Sequence, residues 1–325
     1  MINRRKFITL VGGAAGLLPS SVRAQVYPSR PIKVIVPFPA GGPTDILCRV
    51  LAQKLTDDWG QAVVIENRPG GNTAIGAQAV AKADPDGYTL LAAMDTTLVL
   101  NPITTSNLPY DAFKDFTYIT MISSNTSLLT VRATDGPKTV RELIAKAKTS
   151  PGKLNFGAGI LTTRLAGFLF SKLAGIEVVL VPYKGSAEVV QGLITGSVDF
   201  IVDGTAASLP LIRSGQLRPL AKLNSGPLAS LPDLEPLAIA ARLPELLEDI
   251  STWIGLVGPA GMPPMVADKI QRKIASLYGD PALVDRLDKV GINPVSSTPE
   301  EFKAYVRRET VRWSKVYRDS GIKLD

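Results

Sequence analysis

Segments typical of strands and segments typical of helices alternate along almost the whole of this 325-residue chain. Short apolar runs at 32–36, 63–66 and 154–156 are each followed by a glycine-containing loop and then by residues with helical periodicity. Because short connections in such a pattern place strands side by side with helices on their faces, we predict an α/β fold with parallel sheets. A chain of this length is large for one hydrophobic core, so two lobes are expected.

Two stretches deviate from this regular alternation. Residues 116–121 and 127–132 are predicted as two separate strands. Residues 225–249 contain five prolines or glycines and scattered acidic residues. We predict that this second stretch is either a surface loop or a connection between lobes with little helix.

The most informative local junction is the sequence VIVPFPAGGPTD at residues 34–45. An apolar strand ends there, a proline- and glycine-rich loop follows, and an amphipathic helix begins at Thr44. Such a junction directs unpaired backbone N–H groups and the positive end of a helix dipole at whatever lies above the loop. The junction therefore predicts a site for a carboxylate, although many α/β folds use the same arrangement only structurally.

The first 24 residues have the three parts of an export signal. Arg4, Arg5 and Lys6 precede an apolar run at 7–18, and small residues lead up to Ala24. We therefore predict a signal peptide that is cleaved after Ala24, by either the Sec or the twin-arginine route. No cysteine follows the apolar run closely, so no lipid anchor is expected. A periplasmic, exported protein is the resulting prediction.

Charge and composition favour binding over catalysis. The chain has 36 basic and 29 acidic residues, and the predicted leader holds four of the basic ones, so the remainder carries 32 − 29 = +3. This weak charge, without a long Lys/Arg run, argues against nucleic acid as a partner. The chain has no histidine and only one cysteine, Cys48, which excludes Ser-His-Asp catalysis and histidine or thiolate metal sites. Carboxylate or Ser-Lys chemistry stays open.

Four loops that follow predicted strands, at 38–44, 70–73, 95–97 and 157–163, carry glycine or threonine. Ligands in open α/β sheets bind beyond the carboxyl ends of the strands. Small residues there let backbone amides approach an anion closely. We therefore expect these loops to form one polar cleft.

Several segments resemble the tripartite tricarboxylate transporter substrate-binding proteins, also called Bug (Bordetella uptake gene) receptors. The segments are PSRPIKVIVPFPAGGPTDILCRVLAQKL, VVIENRPGGNTAIGAQAVAKADPDGYTLL, LPYDAFKDFTYI, PGKLNFGAG, VVLVPYKGSAEVVQGLITGSVDFIVD and EEFKAYVRRETVRWSKVYRDSGIKL. The resemblance implies a type II periplasmic binding protein, with two lobes that each have a central β-sheet flanked by helices and a ligand cleft between them. It places lobe 1 at 25–125 and 246–325, and lobe 2 at 126–245.

The resemblance also implies a function and a set of ligand-binding residues. The ligand would be a small carboxylate, and the partners would be membrane transporter subunits; no cofactor is implied, and a monomer is expected. The implied binding residues are Phe38, Ala40, Gly41, Thr44, Asp45, Gly71, Asn72, Asp95, Thr96, Thr97, Gly157, Ala158, Thr162, Thr163, Arg164 and Asp203.

Four charged residues in this set have open roles. Asp45 either caps the first helix or accepts from a bridging water. Asp95 replaces the small residue that is usual in relatives, and it either narrows the ligand range or points away. Arg164 stands near the usual histidine and either pairs with a distal carboxylate or lies on the surface. Asp203 either contacts the ligand or caps the following helix.

Two other functions remain as alternatives. The same binding chemistry would suit a protein that presents its ligand to a membrane-bound sensor. An extracytoplasmic hydrolase without histidine is the third possibility, but the sequence contains no nucleophile-elbow motif. The identity of the ligand is left open by the sequence.

Overall fold

The computed structural model describes residues 27–226, 228, 230–244, 246 and 250–320. The predicted signal peptide at 1–24 lies outside the described residues. The strands are β1 (Ile32–Val36), β2 (Val63–Asn67), β3 (Thr89–Met94), β4 (Phe116–Arg132), β5 (Leu154–Ala158), β6 (Val178–Pro182), β7 (Phe200–Gly204), β8 (Leu217–Lys222) and β9 (Ser251–Pro259).

The helices are α1 (Pro43–Trp59), α2 (Ala74–Ala81), α3 (Asn101–Thr104), α4 (Val140–Thr149), α5 (Leu161–Ala174), α6 (Ser186–Thr195), α7 (Thr205–Arg213), α8 (Leu237–Ala241), α9 (Pro264–Leu277), α10 (Pro281–Lys289) and α11 (Pro299–Ser320). A π-helical turn, Thr96–Leu100, leads into α3. Within the described part of the chain, none of these helices combines the length and the apolar character that a bilayer span requires.

The strands form two sheets that share β4. The first sheet has the order β2-β1-β3-β9-β4, in which β1 pairs in parallel with β2 and β3 while β9 runs antiparallel. The second sheet contains the far end of β4 between β7 and β8, and β5 and β6 continue it beyond β7. The predicted α/β architecture is therefore confirmed, but the prediction of parallel sheets is wrong in part, because β4 and β9 pair antiparallel with all their neighbours and both sheets are mixed. The proposed residue ranges of the two lobes stay a prediction.

The prediction of two separate strands at 116–121 and 127–132 is wrong, because β4 is one strand of 17 residues. Its residues Phe116–Thr126 pair with β9, and from Ser127 onward it pairs with β7 and β8. The polar residues in the middle resemble a break in the sequence, but most of them are buried, and Asn125 is bonded on both sides. Asn125 Nδ2 donates to Ser123 Oγ at 3.2 Å, and Asn125 Oδ1 accepts from the Asn293 N–H at 2.9 Å.

The start of α4 has part of a capping box, a motif in which an N-cap threonine and a glutamate three residues later each accept from the other's backbone N–H. Thr139 Oγ1 accepts from the Glu142 N–H at 3.1 Å, as expected for an N-cap threonine. The Glu142 carboxylate accepts from the N–H of Lys138 at 2.8 Å, one residue before the position that an ideal box would use. In the stretch 225–249, the described residues include one short helix, α8.

The long C-terminal helix α11 packs on the first sheet through aromatic residues. Phe302 is fully buried and meets Trp253 of β9 and Tyr118 of β4 in edge-on contacts, with ring centroids 5.5 Å and 5.2 Å apart. The Phe302 ring lies against Gly255, and a Cβ added there would come within 2.0 Å of the ring. A glycine at this position of β9 is therefore a packing requirement.

We predict that Gly255→Ala destabilises the protein, because the added methyl group must push Phe302 out of its aromatic pocket. Overpacking of this kind costs roughly 1–3 kcal/mol, which urea unfolding followed by tryptophan fluorescence would measure. Gly226→Ala is the matched control, since its Cβ would meet nothing closer than 4.0 Å. Equal stability of the two variants would contradict the packing argument.

Candidate functional site

The carboxyl ends of strands from both sheets face a common cleft, in which two cavities adjoin. The first cavity encloses about 690 Å³, including its open mouth. The loop between β1 and α1 lines one side of it, and the loops after β6 and β7 line the other. Asn125 of β4 and Thr252 of β9, which are paired with each other, line it close to the point where β4 passes from the first sheet to the second. The cavity therefore lies where the two sheets meet.

Three helices begin at the first cavity. Their N-cap residues are Gly42 for α1, Gly185 for α6 and Gly204 for α7, and none of these helices has a side-chain cap. The first N–H groups of a helix have no partner within it, and they carry the positive end of its dipole. The cavity is thus surrounded by hydrogen-bond donors from the backbone.

The second cavity, of about 820 Å³ with its mouth, adjoins the first at Phe38 and Ile160, which line both. The residues before α2 and α5 line it, together with the side chains of Arg164 and Lys184. No acidic residue is among the described residues that line this cavity. Two cations and two helix N-termini make it a positively charged region.

Arg164 is held at the wall of the second cavity. Its Nη2 donates to the carbonyl oxygen of Tyr183 at 3.1 Å, whereas its buried Nε has no hydrogen-bond partner among the described residues. Burial lowers the pKa of the guanidinium from its ordinary value, although the group stays charged. Arg164 is therefore half-buried in the cleft wall and retains an unused donor.

Asp203 lies at the end of β7 and lines the first cavity. Its Oδ1 accepts from Ser186 Oγ at 2.9 Å, while its buried Oδ2 has no partner in the part of the chain that the structure describes. Burial raises the pKa of Asp203 to about 7, against the opposing effect of Ser186 and of the Gly204 backbone. Asp203 thus has one buried carboxyl oxygen without a hydrogen-bond partner among the described residues, at the wall of this cavity.

Asp45 holds the loop between β1 and α1 in shape. Its carboxylate accepts from the Gly41 N–H at 3.0 Å, from Arg49 Nε at 2.9 Å and from Asn67 Nδ2 at 2.9 Å. Burial would raise the pKa of Asp45, but these hydrogen bonds outweigh it and lower the pKa. Asp45 does not cap α1, since the N-cap is Gly42. Its bonds instead fix the loop that lines the cleft.

Asp95 is buried directly after β3, at the start of the π-helical turn, and lines neither cavity. Its Oδ1 accepts from the Thr96 N–H at 2.6 Å. Thr162 of α5 lies beside the carboxyl, but no hydrogen bond of normal geometry joins it to Asp95 Oδ2. Burial raises the pKa of Asp95 to about 7, although Thr162 and the Thr96 N–H lower it; Glu309 of α11 adds to the increase. Asp95 is thus a buried carboxyl at the contact between the π-helical turn and α5.

The structure brings about half of the predicted site residues to the two cavities. The first is lined by Phe38, Ala40, Thr44 and Asp203, and the second by Phe38, Gly71, Asn72, Thr96 and Arg164. The predicted residues that line neither cavity are Gly41, Asp45, Asp95, Thr97, Gly157, Ala158, Thr162 and Thr163.

Packing explains why several of these residues are not on the cavity walls. Thr97 Oγ1 donates to Thr73 Oγ1 at 2.9 Å, and Thr163 Oγ1 donates to the Ile160 carbonyl at 3.0 Å. Gly157 faces α6, where an added Cβ would meet Val189 at 2.8 Å. Ala158 is fully buried, and its carbonyl accepts from the Tyr183 N–H. These residues support the loops that surround the cleft.

Sequence reasoning missed several cavity residues, chiefly Asn125, Ser186, Glu188 and Thr252. Ser186 and Glu188 begin a helix that follows a strand, so the rule about carboxyl ends could have found them. Asn125 and Thr252 lie inside strands, where a polar residue gives no local sign of facing a cavity.

The chain is similar to known proteins in both sequence and structure. Residues 47–322 match the family described as the tripartite tricarboxylate transporter family receptor. The protein BugT of Bordetella pertussis is 33% identical over 329 residues, which cover 99% of this chain and 100% of BugT.

Three solved structures share the fold. Rpa4515 of R. palustris with adipate superposes with a TM-score of 0.87 at 32% identity, covering 91% of this chain and 99% of that one. The periplasmic binding protein BugD gives 0.84 at 28%, with coverage of 91% and 99%. MatC of Rhodopseudomonas palustris with bound malate gives 0.82 at 27%, with coverage of 89% and 99%.

The shared β4, the two sheets and the cleft between them define a type II periplasmic binding protein fold, as predicted. The chain belongs to the tripartite tricarboxylate transporter receptor family, which confirms the resemblance seen in the sequence. The family is described as one of receptors.

We predict that Asp95→Asn stabilises the protein at about pH 8 but changes little at about pH 4.5. An unfolded Asp titrates near pH 4, whereas folding raises the pKa of Asp95 to about 7. The wild type therefore loses stability as the pH rises from about 4 through 7. The amide cannot ionise, so the variant should gain about 2–4 kcal/mol at the higher pH.

Urea unfolding of both proteins at the two pH values measures this difference. Thr96, Thr162, Tyr305 and Glu309 face Asp95 and are the same in both proteins. Asp84→Asn, at an exposed carboxylate, is the control. An equal effect of Asp95→Asn at both pH values would show that Asp95 does not titrate in this range.

Proposed function

We propose that this protein is a periplasmic receptor that binds a small carboxylate in the cleft and delivers it to the membrane subunits of a tripartite tricarboxylate-type transporter. The observation that carries the proposal is the second cavity, where Arg164, Lys184 and the first turns of α2 and α5 surround a space without acidic residues among those described. This arrangement suits an anion, because cations and helix N-termini both attract negative charge.

The carboxylate binds at the junction of the two cavities. The loop between β1 and α1 approaches this junction from the first sheet, and Gly159 to Arg164 approach it from the second. The free Nε of Arg164 donates to the carboxylate, and first-turn N–H groups add further bonds. Two relatives of similar fold hold adipate and malate, which supports a ligand of this class.

Binding favours a closed form of the receptor. In this proposal, residues 25–125 with 246–325 form one lobe, residues 126–245 form the other, and β4 and β9 are the crossing segments. A ligand that contacts both lobes stabilises their closed arrangement, and the transporter responds to that arrangement.

The predicted leader would take the chain to the periplasm before removal after Ala24. No catalytic step is part of the proposal.

A thermal-shift series with adipate, malate, succinate and hexanoate tests carboxylate binding. A ligand at about a hundred times its Kd adds about 2.7 kcal/mol to the stability, which raises the Tm measurably. The protein is first unfolded and refolded, so that any copurified ligand is removed. If no carboxylate raises the Tm of the refolded protein, the proposed ligand class is wrong.

We predict that Arg164→Ala weakens binding of the best carboxylate by about ten- to a hundredfold, because a charged hydrogen bond is lost. Titration calorimetry measures the change in Kd. Arg141→Ala is the matched control, since Arg141 is exposed on α4 and its removal changes the net charge equally. Equal affinities of the two variants would place the carboxylate elsewhere.

A further inference from the structure

The two adjoining cavities have opposite side-chain charge. Arg164 and Lys184 line the second cavity, whereas Asp203 and Glu188 are the charged residues among those described that line the first. All other described side chains of the first cavity are neutral, including Thr44 of α1, Asn125 of β4 and Thr252 of β9. A ligand that occupies both cavities therefore meets a different environment at each end.

Asp203 is the buried charged group of the first cavity. Only 1% of its surface is exposed, and its Oδ2 has no hydrogen-bond partner among the described residues. Glu188 is exposed, and its carboxylate accepts from the Lys184 N–H at 3.2 Å. A buried carboxyl oxygen that accepts no hydrogen bond destabilises the protein. A ligand that carries a hydrogen-bond donor can supply the missing bond.

The helix N-termini at the first cavity do not cancel the negative character that Asp203 gives it. Asp203 accepts from Ser186, the first residue of α6, and its pKa responds to the backbone of Gly204, the N-cap of α7. The charge of Asp203 thus already faces the positive ends of α6 and α7. The start of α1 is left for the ligand carboxylate at the junction.

We propose that Asp203 makes this receptor select carboxylates whose far end carries a hydrogen-bond donor, such as an amide, a hydroxyl or an ammonium group, over α,ω-dicarboxylates of the same length. The donor group binds to the free Oδ2 of Asp203 in the first cavity. The position of the carboxylate end rests on the proposed function, whereas the preference at the far end rests on Asp203.

Adipate and its monoamide, adipamate, form a matched pair for the test. They have the same length and shape, but the far end of adipamate donates hydrogen bonds and carries no charge. A second carboxylate beside Asp203 would need a shared proton or would leave two like charges together. We expect calorimetry at about pH 8 to give adipamate at least about a tenfold lower Kd than adipate.

Asp203→Asn should reverse this preference. The asparagine Oδ1 can still accept from Ser186, while its Nδ2 then offers a donor where Asp203 offered an acceptor. Glu188→Gln is the matched control, because it removes the other carboxylate of the same cavity and should leave the preference for adipamate unchanged. A preference that Asp203→Asn does not alter, or that Glu188→Gln abolishes, overturns the assignment to Asp203.

The wild-type protein provides a second test that does not depend on the folding of a variant. Adipate needs a protonated Asp203, so its affinity should fall between about pH 5.5 and pH 8.5, whereas that of adipamate should hold or rise. Glu188 is the other titratable group among the described residues of this cavity, and the Glu188→Gln variant separates its contribution. Parallel pH profiles for the two ligands would overturn the proposal.

The outcomes also separate this inference from the proposed function. Tighter binding of adipate than of adipamate at about pH 8 refutes the donor preference and leaves carboxylate binding intact. If neither compound nor hexanoate binds, carboxylate recognition itself fails, and the inference fails with it.

Discussion

The cleft depends on the continuous pairing of β4, because this single strand belongs to both sheets. Its first part pairs with β9, and its last residues pair with β7 and β8. The carboxyl ends of the parallel strands in the two sheets are thereby held opposite each other. Most of the cavity-lining residues discussed above lie in the loops that follow these strands or in the first turns of the helices after them. A break in β4 would separate the two halves of the site.

Local sequence patterns were sufficient to predict those strands, loops and helix starts that local interactions determine. The apolar run of β1, the loop at 38–42 and the start of α1 are within a residue of their predicted places, because proline and glycine limit where a strand and a helix can meet. The continuity of β4 was not predictable in this way. The polar side chain of Asn125 is satisfied by Asn293, a partner 168 residues away, which no local pattern reveals.

In the candidate site, the sequence gives the type of each residue but not its environment. Asp45, Asp95 and Asp203 are all aspartates at or near a junction between a strand and a helix, and the family resemblance placed each of them near the ligand. Three donors keep the pKa of Asp45 low, whereas burial with few donors raises the pKa of both Asp95 and Asp203 to about 7. Only Asp203 combines this burial with a place on a cavity wall. The count of donors around each carboxyl depends on tertiary packing, so the sequence could not distinguish the three.

The helix N-termini around the cleft are shared between the protein and its proposed ligand. Those of α6 and α7 face the charge of Asp203, that of α1 lies at the first cavity, and those of α2 and α5 lie at the second. An α/β receptor without histidine can therefore position an anion with backbone donors and a single arginine. Asp203, which faces the N-termini of α6 and α7, can then change which ligand the same scaffold selects. Within such a fold, specificity depends less on the number of positive groups than on which of them an internal carboxylate already neutralises.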